Sequence, residues 1–361
     1  MRLLSSILQR AVYPALGKLG YFHARASAAI VTYHGVLPSG YRSPDSFLDN
    51  TLVSIDAFRS HLRLLKRQYS VISPERFLGW VRGSEELPAH AVLLTCDDGL
   101  LNNSTVMLPV LQEEGLRCLF FVTGVSADEN PELLWYVQLY LMLMESRGKG
   151  RAFEWHGMTI PGIGSDAETR RAQWLRLMSS LSCFSPDARA DFMNEAVRCW
   201  GLDPAWKQRY LDDPLLRPRF RLLGASAVRQ LAEAGMTIGA HTMTHPALSQ
   251  QPADLARQEL TSSRQQLQKC TGQPVWALAY PFGNPSAVGA REYEFAREAG
   301  YECAFMNVPG KLLGASKFAL PRVHVTAEMS LSVYEAHVSG VHEALRNRLR
   351  SIHSIGERGR E

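Results

Sequence analysis

Leu3, Leu4, Ile7, Leu8, Ala11, Val12, Ala15, Leu16 and Leu19 recur three or four residues apart, with Arg2, Arg10 and Lys18 between them. That pattern predicts an amphipathic helix over residues 1–20. Such a helix either packs on the globular body or lies on an anionic membrane surface. A different pattern follows. The apolar runs Ala28–Tyr33, Val71–Pro74, Ala91–Thr95 and Leu119–Val122 read as short strands, each separated from the next by polar or helically spaced stretches. Ser54 stands where it can cap a helix with Phe58, Leu62 and Leu65 on one face. A helix around Met107–Glu114 ends at Gly115, just before the run at Leu119. Strand and helix in alternation predict parallel strands joined by crossover helices.

The alternation stops at about residue 128 and resumes near 222. The intervening segment carries Trp135, Trp155, Trp174 and Trp200, glycine-rich turns at 157–164 and several helical patterns. It reads as an insertion between two barrel strands, its tryptophans filling a core or offering stacking platforms for sugars. Helix Ala227–Ala234, strand Met236–Gly239, helix Pro252–Cys270, strand Ala277–Tyr280 and helix Tyr293–Ala299 follow, with a last strand at Arg322–Val325. Beyond Glu343 the chain is polar and Arg-rich. The expected division is a helix over 1–25, a (β/α) unit over 26–335 with its insertion at about 128–222, and a C-terminal helix or tail over 336–361.

Composition narrows the function classes. The chain has 361 residues, 46% hydrophobic, enough for a sizeable core and against wholesale disorder. A net charge of +4, with no basic stripe interleaved with aromatics, argues against nucleic acid as a partner. The longest apolar run, Leu133–Met144, is too short for a membrane span and contains Gln138. Gln9 and Arg10 interrupt the N-terminus where a secretory signal would stay apolar. Cys96, Cys118, Cys183, Cys199, Cys270 and Cys303 show no CxxC pairing, which suits a reducing compartment. The expectation is a cytoplasmic protein, with peripheral membrane contact through the N-terminal helix as its variant.

Two clusters carry chemistry. Asp97 and Asp98 end an apolar run, where strand alternation points them apart, so that one can bind a cation while the other acts as a base. His241 and His245 follow another strand at a four-residue spacing that converges on one metal if the segment turns helically. Both lie where strands of a barrel end, the side on which active sites assemble. An Asp and two His with open coordination positions suit a catalytic metal, and with it the hydrolysis of an amide or ester.

The wording of these segments adds a resemblance. Thr95-Cys96-Asp97-Asp98-Gly99 is similar to T-F-D-D-G, with Cys for Phe; His241-Thr242-Met243-Thr244-His245 matches H-[ST]-x-x-H; Tyr280-Pro281-Phe282-Gly283 resembles a third motif. Over roughly residues 90–330 the sequence thus resembles the polysaccharide deacetylase family, the NodB-homology or carbohydrate esterase family 4 group. The resemblance implies a distorted (β/α) barrel that removes N-acetyl groups from an amino sugar. By it, Asp97 is the base, Asp98, His241 and His245 bind the metal, and the Phe282 N–H helps hold the oxyanion. Zn²⁺ is the metal expected from these ligand types, and Co²⁺ or Ni²⁺ would also fit.

Two departures stand out. The arginine that opens the third motif, and braces the catalytic aspartate, is replaced by Ala279; Arg322 is the candidate substitute, with a plain strand-end arginine as its alternative. No L-x-H-D supplies the histidine that protonates the leaving amine. In a permuted branch of the family that histidine comes from an early Y-H strand, which Tyr33-His34-Gly35 fits; His324 is the competitor. The function expected is metal-dependent N-deacetylation of an N-acetylated glycan or glycan precursor. The alternatives are an amidase for a small non-carbohydrate amide and a glycan-binding protein with a degraded site.

Overall fold

The computed structural model describes residues 8–18, 22, 28–146 and 150–348. Eight strands form its main sheet: β1 (Ala29–Tyr33), β4 (Ser70–Ile72), β5 (Ala91–Cys96), β6 (Leu119–Val122), β9 (Thr237–Ala240), β10 (Ala277–Ala279), β11 (Cys303–Phe305) and β12 (Val323–His324). Two small pairs lie outside it, β2 (Val36–Leu37) with β3 (Val53–Ser54), and the hairpin β7 (Phe153–Trp155) with β8 (Met158–Ile160). The order in the main sheet is β11-β10-β9-β6-β5-β1-β12, with β4 paired to the start of β5, and every pair is parallel. Phe305 bridges to Leu320, and the Arg322 N–H reaches the Val308 carbonyl at 2.9 Å, so irregular backbone joins the two ends of the curled sheet. This is a distorted (β/α) barrel.

Alternation along the strands sorts the core. Val31, Tyr33, Val92, Leu94, Cys96, Phe120 and Val122 pack in the cluster that also holds Phe58, Leu62 and Leu65 of the helix Ile55–Gln68. Ile30, Ala91, Leu93, Leu119, Phe121, Ala277, Ala279 and Phe305 form a second cluster on the opposite face. Thr32, Thr95 and Asp97 continue that second parity towards the strand ends, where the buried residues turn polar. Helix starts follow the expected chemistry: the Ser54 hydroxyl accepts from the Ala57 N–H, and Ser73 from the Arg76 N–H with Pro74 in the first turn. β11 was not anticipated, because three residues without a β-branched side chain carry little strand signal.

Between β6 and β9 the chain leaves the sheet. Helices Trp135–Glu145, Ala167–Leu181, Pro186–Cys199, Gln208–Asp212 and Arg217–Phe220, with the β7–β8 hairpin, surround a cluster of their own that includes Leu139, Leu181, Phe192, Trp200 and Tyr210. Trp155 and Trp200 are core residues, whereas Trp135 and Trp174 are half-buried. At the other side of the molecule residues 8–18 are helical, and Tyr13 and Phe22 pack with Val333, Ala336 and Val341. The helix Leu331–Val338 begins ahead of the boundary expected at 335–336. The rest of the predicted N-terminal helix, residues 1–7 and 19–20, and the tail beyond 348 lie outside the described residues. No helix among the described residues is long and apolar enough to cross a membrane.

Candidate active site

Asp97 and Asp98 follow β5 and diverge, Asp97 keeping the parity of the strand and Asp98 turning away from it. Asp97, 2% exposed, takes two parallel hydrogen bonds from Arg322, at 2.7 Å to Oδ1 and 2.6 Å to Oδ2. Arg322, 1% exposed, is itself fixed by bonds to the Met306 carbonyl at 2.7 Å and the Thr32 hydroxyl at 3.1 Å. Burial alone would push the Asp97 carboxyl up, but the Arg322 guanidinium, helped by His241, holds it below the usual carboxylate range. Asp97 is therefore anionic.

Asp98 adopts a left-handed backbone, with φ of 76°, that turns its side chain the other way. Its Oδ1 lies 3.5 Å from His241 Nε2 and 3.4 Å from His245 Nε2. Burial opposes its ionisation, and the two imidazoles beside it outweigh burial, so its pKa sits well below the ordinary value. Tyr136, from the inserted helix Trp135–Glu145, approaches Oδ2 with its hydroxyl at 3.5 Å.

His241 leaves the end of β9 and donates from Nδ1 to the Ala279 carbonyl at 2.7 Å. A carbonyl can only accept, so Nδ1 carries the proton and Nε2 presents its lone pair in the neutral ring. Burial would lower the His241 pKa, but the closeness of Asp98 and the charges of both aspartates raise it; for His245 burial prevails and the pKa is lowered. The turn that brings His245 round is not helical, contrary to the expectation from spacing. Thr242 and His245 have φ of 62° and 60°, and the His245 N–H bonds to the Thr242 hydroxyl at 3.0 Å. The His245 carbonyl accepts from the Trp135 indole at 3.0 Å, while its Nδ1 is buried without a partner.

Asp98, His241 and His245 each offer one ligand atom within a 4.8 Å span. The N–O separations of 3.4 and 3.5 Å exceed a good N–H···O bond. They equal the edge, about 3.4 Å, of a tetrahedron with metal–ligand bonds near 2.1 Å. The donor set, two imidazole nitrogens and a carboxylate oxygen with one position left over, fits a catalytic zinc-type ion.

The remaining candidates gather around this centre. Phe282 has φ of 61°, its ring centroid is 5.0 Å from that of His245, and its N–H meets no acceptor among the described residues. His34 and His324 stand side by side with ring centroids 4.7 Å apart. His324 Nδ1 bonds to the Asn307 amide, and burial, with His34 and Arg322 nearby, lowers its pKa to about 3. His34 Nδ1 is buried and unpaired, and its ring is close enough to lower the pKa of both aspartates. Sequence reasoning missed Tyr136 and Glu259, and read Trp135 only as a core or sugar-stacking tryptophan. Tyr136 and Trp135 sit in an apolar insertion with no motif. Glu259, whose carboxylate accepts from the Met243 and Thr244 N–H groups, did leave a signal: it interrupts the buried helix stripe of Ala256, Leu260, Ser263 and Leu267.

Comparison with known proteins bears on the family and the fold. The family model described as polysaccharide deacetylase matches residues 84–170 and 205–304. Among solved structures, the chain is similar to the Streptococcus pyogenes deacetylase PplD in complex with acetate, at 17% identity, covering 87% of this chain and 98% of that one, with a TM-score of 0.54. A de-N-acetylase from Aggregatibacter actinomycetemcomitans is similar at 15% identity, 86% and 99% coverage and a TM-score of 0.53. IcaB from Ammonifex degensii is similar at 16% identity, 87% and 97% coverage and a TM-score of 0.52. No curated protein sequence matches. These structures share the barrel, the family model spans both the aspartate pair and the histidine pair, and the chain belongs to the polysaccharide deacetylase family.

Proposed function

We propose that this protein is a metal-dependent hydrolase that removes N-acetyl groups from an amino-sugar-containing polysaccharide, oligosaccharide or glycan precursor. The observation that carries the reading is the placement of an arginine-braced, anionic Asp97 next to the Asp98, His241 and His245 donor set, in a chain of the polysaccharide deacetylase family. Asp98, His241 and His245 are the proposed ligands of a divalent cation, Zn²⁺ first, with Co²⁺ or Ni²⁺ compatible. When bound, such an ion polarises the acetamide carbonyl and makes water more acidic.

The chain's own residues supply the rest. Asp97, kept ionised by Arg322, takes the proton from the attacking water. The free N–H of Phe282 is available to the oxygen that gains negative charge. The departing amine needs a proton, and His34 is assigned that transfer. His324 is the weaker candidate, since its Nδ1 is engaged by Asn307 and its low pKa keeps it neutral. A degraded, merely glycan-binding site was suggested by Ala279; the two Arg322 bonds supply the brace that Ala279 lacks and support turnover instead.

The test is acetate release from a panel of N-acetylated oligosaccharides, before and after chelation and with metal restored. Chelator-sensitive release is expected. Release only from small non-carbohydrate amides would favour the amidase reading, and none from any acetylated substrate would leave the binding protein.

A further inference from the structure

Glu259 is 6% exposed on the helix Ala253–Thr271, yet no Lys or Arg lies within ion-pairing distance among the described residues. A buried carboxylate is costly unless its oxygens are fully bonded. Here Oε2 accepts from the backbone N–H groups of Met243 and Thr244, both at 2.8 Å, and Oε1 from the Thr244 hydroxyl at 2.6 Å. All three bonds fall on the segment between the two histidines. Thr242 and His245, which flank those two residues, both occupy the left-handed region that non-glycine residues rarely adopt. Such conformations persist only where the surroundings over-determine them.

The same segment is held from the opposite side. The Thr244 hydroxyl also accepts from Arg189 at 2.7 Å, and the Arg189 guanidinium lies 5.0 Å over the Trp135 ring, whose indole bonds the His245 carbonyl. Helix and insertion therefore close a circuit around residues 243–245.

We propose that Glu259 is a positioning residue for the metal: by clamping Met243 and Thr244 it fixes the loop in which His245 Nε2 converges with His241 Nε2 on Asp98, and so sets the affinity for the cation. The inference rests on the ligand assignment made above. Losing an outer partner of a metal ligand typically costs about 10- to 100-fold in affinity.

The experiment measures Zn²⁺ affinity of the full chain by chelator competition, alongside the visible spectrum of the Co²⁺ form and the melting temperature of the metal-free protein. Glu259→Met, similar in size but with no acceptor, is expected to weaken affinity about 10- to 100-fold and to change the Co²⁺ bands. Glu259→Gln, whose amide oxygen still accepts both N–H groups, should rescue affinity to within about threefold. His245→Ala is the control. If Glu259→Met does not fold, Thr244→Val removes one bond of the clamp, together with the Arg189 bond to the same hydroxyl, and should lower affinity about two- to fivefold with a lowered melting temperature. Wild-type affinity in Glu259→Met, or in Thr244→Val where that is the variant measured, while His245→Ala is weakened, overturns the positioning role alone. Wild-type affinity in His245→Ala overturns the ligand assignment on which it stands.

Discussion

One backbone torsion turns the adjacent aspartates apart, and the roles proposed for them divide with it. Asp97 stays in the interior parity of β5 and meets Arg322, whereas the left-handed Asp98 meets the histidines. Asp97→Asn should therefore lower kcat by about 10²- to 10⁴-fold while the protein still binds one divalent ion. Asp98→Asn should weaken both, and metal analysis beside acetate release tells them apart. If Asp97→Asn stripped the metal, the roles would be reversed. Arg322 adds a pH dependence. Its guanidinium depresses the Asp97 pKa, so the base is active above that low value and lost as pH falls through it. Arg322→Met should move the acidic limb of kcat/KM to higher pH and destabilise the fold by about 3–5 kcal/mol, since it strands a buried charge. An unmoved acidic limb would mean that the limb reports another group.

The two aspartates and two histidines were legible in the sequence because each is a short local pattern at a strand end. Arg322 was legible only as a candidate, since its partner lies 225 residues away. Tyr136 and Glu259 were not read at all. Their significance exists only once the insertion and the helix Ala253–Thr271 are placed against the loop: Tyr136 has no spacing to betray it, and Glu259 shows only as a polar break in a buried helix stripe.

At the scale of elements, strand register distinguishes the two histidines proposed for the acid's role. β1 and β12 pair in parallel with Thr32 opposite His324, which leaves His34 just beyond the last paired residue, beside that ring. The pairing ties His324 to the sheet and to Asn307, while His34, past the strand end, has an unpaired Nδ1. His34→Ala should lower kcat at least about tenfold, and His324→Ala should be closer to neutral. An active His34→Ala enzyme would pass the role to His324 or to water. The strands long enough to show a buried run, β5 and β6 above all, were plain in the sequence. β11 was not, nor was the true path of residues 241–245, because left-handed residues held by side-chain bonds look like nothing in a hydrophobic pattern.

For the whole molecule the open question is what the first residues of the chain do. Their amphipathic pattern suits a membrane surface and a protein surface equally, since both are apolar on one side. In the described part, Tyr13 and Phe22 are fully buried against Val333, Ala336 and Val341, and the Tyr13 hydroxyl bonds His342 Nδ1 at 2.8 Å. Of the stripe itself, Leu8, Val12 and Leu16 are half-buried against this cluster, while Ala11 and Ala15 are exposed. Two aromatic side chains taken wholly out of water contribute about 1.5–3 kcal/mol each. A chain shortened to begin at Ala28 should therefore unfold at clearly lower denaturant, by about 3–6 kcal/mol, and expose the apolar face of the helix Leu331–Val338. The proposed metal ligands lie at the strand ends and are not among the described residues of this cluster, so the shortened chain, where folded, should keep its metal affinity. Denaturation midpoints, metal titration and flotation with anionic vesicles measured on both chains decide between the two accounts. Packing predicts lost stability and no vesicle binding by the full chain. Unchanged stability, with vesicle binding that disappears on truncation, would assign the segment to the membrane instead.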